Sequence, residues 1–303
     1  LKIAISGGTG FVGGKLVKHF KQQGDEIYIL TRNPNKHENT EQVKYVEWLT
    51  PQSHPEMVVD HVDVGINLAG ESLNGRWTEE RKKRILDSRI NATREFVRIM
   101  GSLEKKPSVF INASAVGYYG NSQEISFTEK TIIPGNDFLA EVCSLWEKEA
   151  DEARELGIRT VKTRFGLILD GNYGALPKIA LPYKMMAGGP LGNGEQWMSW
   201  VHIDDVVHMI DYAIRNEDIE GPVNITAPNP KRNKDFGDTL SDVLNRPHWI
   251  PAPSLAIKGV LGEMSDLLLK GQYVYPKKLE DHGYGFQYPS LRSALQNIYK
   301  KSD

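Results

Sequence analysis

Apolar residues along the chain fall into short β-branched runs, separated by longer segments in which they recur at helical spacing. The runs are Ile3–Ser6, Glu26–Leu30, Val43–Val46, Val64–Leu68, Val109–Ala113, Thr160–Thr163 and Val223–Thr226. Between the first two, Val12, Leu16 and Phe20 recur beside Val17, giving one apolar stripe on a helix that Gly24 stops. Further helices are predicted over Thr78–Leu103, Asp137–Glu155 and Asp204–Arg215. Strands alternating with helices predict an α/β fold, a doubly wound parallel sheet covered on both faces.

After Arg164 the texture changes, with more Gly and Pro and a cluster of aromatics. Residues 1–170 are therefore expected to form one unit, to which 200–226 return, and 171–199 with 227–303 a smaller, interleaved C-terminal substrate lobe.

Composition narrows the class. The 303 residues carry 37 basic and 39 acidic side chains, a net charge of −2 that offers no overall field for nucleic acid or anionic lipid. One cysteine, Cys143, makes neither an internal disulfide nor a zinc cluster, so no metal is expected. No apolar run has transmembrane length, and the opening Leu-Lys-Ile-Ala-Ile-Ser lacks a signal-peptide pattern. A cytoplasmic protein acting on a small molecule is expected.

The most informative segment is Ser6-Gly7-Gly8-Thr9-Gly10-Phe11-Val12-Gly13, between the first strand and the first helix. Glycines at 7, 8, 10 and 13 permit a tight turn and close approach of a diphosphate to the amides at a helix N-terminus. This position predicts a Rossmann-type dinucleotide site. At the end of the second strand, where an NAD site would place Asp or Glu, stand Thr31 and Arg32. A carboxylate repels a 2′-phosphate and a guanidinium binds one, so NADP(H) is the expected cofactor. Trp48, after the third strand, is a candidate to flank the adenine.

Further segments carry a resemblance: Asn67-Leu68-Ala69-Gly70, Asn91-Ala92-Thr93, Asn112 through Gly120 with its Tyr118-Tyr119-Gly120 ending, and Trp200-Val201-His202-Ile203-Asp204-Asp205-Val206. With the glycine-rich turn, they resemble atypical, extended short-chain dehydrogenase/reductases of the NAD(P)-dependent epimerase/dehydratase type. Gly70-Glu71-Ser72-Leu73, Arg76-Trp77-Thr78, Ser88-Arg89 and Pro251-Ala252-Pro253 are similar to the bacterial "epimerase family protein" group with a C-terminal domain of unknown function. The resemblance implies that Leu68, Ala69, Gly70, Ser114, Arg164, Phe165 and Gly166 border the cofactor. Homodimers are frequent in that superfamily.

The catalytic pattern departs from the family. Its Tyr-x-x-x-Lys falls on Phe138 and Val142, neither of which carries a proton, and its serine falls on Ala115, one residue after Ser114. Ser114 and Tyr119 are the catalytic candidates. Glu71, Arg89, Tyr118, Trp200 and His202 are candidates for substrate contact. Two functions follow: an NADP(H)-dependent oxidoreductase or nucleotide-sugar-epimerase-like enzyme, or a catalytically altered NADP(H)-binding sensor or interaction protein.

Overall fold

The computed structural model describes residues 1–59 and 61–300; the last residues of the segment 227–303 thus lie outside the described residues. All seven expected runs become strands of one sheet: β1 (Lys2–Ser6), β2 (Glu26–Thr31), β3 (Val43–Glu47), β4 (Val64–Asn67), β5 (Val109–Ala115), β6 (Arg159–Phe165) and β7 (Gly221–Ile225). Their spatial order is β7-β6-β5-β4-β1-β2-β3, and every neighbouring pair is parallel. The order reverses beside β1, so a crevice opens at the carboxyl ends of β1 and β4.

The near-continuous apolar runs reflect burial of both sheet faces. On one face Ile3, Ile5, Ile27 and Ile29 pack with Leu16 and Phe20 of α1 (Phe11–Gln22) and with Ile210 of a later helix, Ile203–Arg215. On the other, Ala4, Tyr28 and Leu30 meet Phe96 and Met100 of α2 (Glu79–Ser102) and Ala150 of α3 (Phe138–Glu155). The helix ends follow local chemistry. Thr78 and Asp137 cap α2 and α3 by accepting the N–H of Arg81 and Ala140, and Gly24, just beyond α1, takes φ +86°.

Beyond β6 the chain builds a separate apolar cluster from Leu176 and Ala180 of α4 (Leu176–Lys184), Trp200, and Phe236 of the helix Asn233–Leu244. Short strands absent from the expected set tie this part together: Leu167–Leu169 pairs with Trp200–His202, and Trp197–Met198 with Lys231–Arg232. They are too short to show an alternating pattern. No helix of the described residues is long and apolar enough to cross a membrane.

Asp170 links this part to α1. Its carboxylate accepts the N–H groups of Asn172 and Tyr173 at 2.8 and 3.1 Å and meets Lys15 Nζ at 3.0 Å. Burial alone would raise its pKa, but these donors outweigh burial and hold it below the ordinary 3.8. Asp170→Asn is expected to cost roughly 1 kcal/mol at neutral pH. A depressed carboxyl stabilises the fold above its unfolded pKa and ceases to do so as it protonates, so the difference from the parent should shrink as pH falls below 3.8. Melting curves from neutral to acid pH check this.

Candidate functional site

The glycine-rich turn sits where β1 enters α1, and its glycines are required by close approach. Gly7 has φ +70°, and a Cβ there would lie 2.9 Å from the Leu68 carbonyl oxygen. A Cβ on Gly13 would lie 2.2 Å from the Gly7 oxygen, and one on Gly8 2.9 Å from Ile29. The Gly7 carbonyl accepts the Gly10 N–H at 2.9 Å and closes the turn around Thr9. Gly10 caps α1 without a side-chain hydrogen bond, and the first turn carries no acidic residue. The amides of Phe11, Val12 and Gly13 thus present the positive end of the helix to a cleft of about 330 Å³.

β2 ends beside this turn because Ser6 pairs with Leu30. Thr31 therefore emerges next to the cleft. Arg32 is exposed and, among the described residues, has no acidic partner. Trp48 is a correction: it is buried edge-on against Phe96, its main-chain N–H on the Thr31 carbonyl, and it forms core rather than a wall of the cleft.

A buried polar network underlies the cleft. Asn67 accepts from Ser6 Oγ at 2.5 Å and donates to Asn112 Oδ1 at 2.7 Å and Thr93 Oγ1 at 2.9 Å. Trp146 Nε1 donates to the same Thr93 oxygen at 2.8 Å, which joins α3 to the network. Ala69 N–H also reaches Asn67 Oδ1, and Gly70 passes so close to Arg89 that a Cβ would lie 3.2 Å from its side chain.

β5 and β6 run two residues further than the apolar pattern indicates, and this extension places Ser114 opposite Arg164 and Ala115 opposite Phe165. Arg164 is buried and grips Glu147 of α3 with Nε at 2.7 Å and Nη2 at 2.8 Å. Ser114, on the cleft wall, donates to Glu147 at 2.7 Å. The guanidinium also lies 3.5 Å from the ring centre of Tyr118 and 4.8 Å from that of Tyr119. Glu147 escapes sequence reasoning because it lies on the apolar face of α3 among Cys143, Trp146 and Ala150; a carboxylate on such a face is itself the signal of a buried cation.

Phe165 and Gly166 line both the cleft and a second, larger cavity continuous with it; a Cβ on Gly166 would meet the Ser199 carbonyl at 2.4 Å. Arg89 also lines both cavities. Its guanidinium rests 5.1 Å from the Trp146 ring centre and donates to the carbonyls of Ile85 and Glu71 at 2.9 and 3.1 Å. Burial lowers its pKa from the usual arginine value. The Glu71 carboxylate instead pairs with Arg81 and, at 3.5 Å, with Arg84, so it faces away from the cavity cation.

Several candidates stand elsewhere. Tyr119 lines neither cavity: its hydroxyl donates to Asn224 at 2.7 Å and burial pushes its pKa up to about 12. Tyr118 donates to the Ile132 carbonyl at 2.6 Å, likewise away from both. Trp200 is fully buried, its Nε1 on the Asn229 carbonyl. His202 caps the helix Ile203–Arg215: Nδ1 accepts the Asp204 N–H at 3.1 Å, the ring lies tilted against Tyr288, and burial lowers its pKa. These four are held in place by packing, hydrogen bonds and a helix cap. Phe138 and Val142 both line the large cavity, Phe138 edge-on to Trp77.

A seven-stranded, all-parallel Rossmann-like sheet with an anion-ready glycine turn at its switch point defines a dinucleotide-binding α/β protein. The profile of the NAD dependent epimerase/dehydratase family matches residues 3–143, and that of a domain of unknown function (DUF1731) matches residues 252–298. Epimerase family protein YfhF of Bacillus subtilis is 48% identical over 98% of both chains. The chain belongs to the NAD dependent epimerase/dehydratase family, among the epimerase family proteins. Among solved structures, human epimerase family protein SDR39U1 with NADPH superposes with TM-score 0.87 and 29% identity, covering 99% of each chain. UDP-glucuronic acid 4-epimerase from Bacillus cereus, solved with UDP-glucuronic acid and NAD, covers 99% of this chain and 98% of its own at TM-score 0.79; at 15% identity it shows the shared fold alone.

The Glu147–Arg164 pair gives a direct test of the site's scaffold. Glu147→Leu leaves a buried guanidinium uncompensated and is expected to cost about 3–5 kcal/mol. Adding Arg164→Met should restore a large part of that loss, as read from denaturant unfolding of both variants.

Proposed function

We propose that the protein is an NADP(H)-dependent oxidoreductase or epimerase-like enzyme acting on a small molecule. The observation that carries this reading is the open N-terminus of α1 beside an unpaired Arg32. The cleft fits the group: the glycines leave a cradle in which side chains have no room, and no carboxylate of the first turn opposes a diphosphate. Gly7, Gly10 and the amides of Phe11, Val12 and Gly13 would hold the diphosphate, Thr31 and Arg32 the phosphorylated ribose, and Leu68, Phe165 and Gly166 the nicotinamide side. When bound, NADP(H) supplies or takes up a hydride.

Proton transfer cannot follow the family pattern, because Phe138 and Val142 present hydrocarbon to the cavity. Arg89 is the charged side chain shared by cleft and cavity and would donate hydrogen bonds to a reacting oxygen, while Ser114, on the cleft wall with its proton given to Glu147, would offer only an acceptor oxygen. The same hydrocarbon favours a second reading, a nucleotide-state sensor without turnover. A metabolite-mixture screen that follows NADPH absorbance separates the two. Sustained consumption abolished by Gly10→Asp supports the enzyme, and its absence with NADPH still bound supports the sensor.

Cofactor choice is tested separately by calorimetry. NADPH is expected to bind at least about tenfold more tightly than NADH, and Arg32→Asp to remove that difference while sparing NADH. Equal affinity of the parent protein for both would refute the role of Arg32.

A further inference from the structure

The large cavity has a volume of about 1360 Å³, above the range of ordinary small-molecule pockets, which reach roughly 1,000 Å³. One wall is Leu139, Val142 and Trp146 of α3; facing residues include Ile179, Phe236 and Met264. Ile250 and Leu267 line it and are also 48% and 42% exposed, so the hydrocarbon surface continues to the outside.

Its ionic groups are few and mostly engaged. Asp137 caps α3 and accepts from Asn121 at 2.8 Å. Glu263 pairs with Lys82 at 2.5 Å, and Asp266 with Lys270 at 2.7 Å. Lys178 bonds to Asn74 Oδ1 at 3.1 Å. Only Arg89, at the junction with the cofactor cleft, combines a partly buried guanidinium with carbonyl partners and no hydrogen-bonded carboxylate among the described residues. The carboxylates of Asp137, Glu263 and Asp266 are matched by Arg89, Lys178 and Lys270, so the walls carry no excess of positive charge to hold the two or more negative charges of a nucleoside diphosphate. An alkyl chain meets matching hydrocarbon.

We propose that this cavity takes an elongated, mainly apolar molecule with one oxygen-bearing head group, a carbonyl or carboxylate, held by Arg89, and that it is not built for a nucleoside-diphosphate sugar. The placement of the head group at the reacting end rests on the cofactor reading above; the apolar character of the ligand does not.

The test uses the whole protein and a neutral fluorescent probe, N-phenyl-1-naphthylamine, displaced by decanoate, 2-decanone or UDP-glucose. Saturable dye uptake is expected, with displacement by decanoate or 2-decanone but not by UDP-glucose; the better competitor identifies the head group. Arg89→Met should weaken that competitor by about tenfold while the dye's own affinity holds. Met264→Trp, which fills the cavity from outside the sheet, should weaken the dye by about the same factor and serves if Arg89→Met does not fold. Displacement by UDP-glucose at lower concentration than either chain compound, absence of saturable dye uptake, or no effect of either variant would overturn the proposal. NADPH titration of the same sample distinguishes failure of the cofactor reading, because the effect of Met264→Trp on dye uptake reports on the large cavity, which Met264 lines and the cofactor cleft does not share.

Discussion

The Asn67 side chain holds the working end of the sheet together. It is fully buried and uses both its acceptor and its donors, taking the hydroxyl of Ser6 from β1 and giving to Asn112 on β5 and Thr93 on α2. Parallel strands end here with polar groups that have lost water, and each left unpaired would cost about 1–3 kcal/mol. By satisfying them, the amide lets β1 and β4 stop side by side, so that Gly7 can pass against the Leu68 carbonyl without space for a Cβ. The anion-binding turn is therefore a consequence of this buried hydrogen bonding as much as of its glycines.

A second polar unit, Glu147 with Arg164 and Ser114, performs the equivalent task between β5, β6 and α3. It lies just below the cleft wall and ties down the serine hydroxyl. On α3, Phe138 and Val142 stand where the resemblance implies Tyr and Lys, and the buried charge of that helix is Glu147, paired with Arg164. Phe138 and Val142, with Leu139 and Trp146, form one wall of the large cavity. The residues that leave α3 without a proton-transfer pair are thus the ones that give the cavity its hydrocarbon wall.

Most of the framework was legible in the order of residues. Seven β-branched runs became seven strands, since a strand buried on both faces must be apolar at nearly every position, and that signal is local. Their ends were less legible: β5 and β6 run on through Ser114, Ala115, Arg164 and Phe165, where polar residues are buried by pairing rather than by hydrophobicity. The glycine turn was legible for a similar reason, because positive φ and close backbone approach leave almost no other residue type.

By itself, then, the sequence determined the parallel sheet, the glycine turn beside Arg32 and the missing Tyr/Lys pair, all properties of neighbouring residues. Only the tertiary structure decided that Tyr118, Tyr119, Trp200 and His202 face the interior, that Arg89 borders both cavities while Glu71 turns to Arg81, and that Trp48 is core. Each of those assignments depends on which distant group a side chain meets. Glu147 and Arg164 lie 17 residues apart and Tyr119 and Asn224 105 apart, and no periodicity along a chain encodes such meetings.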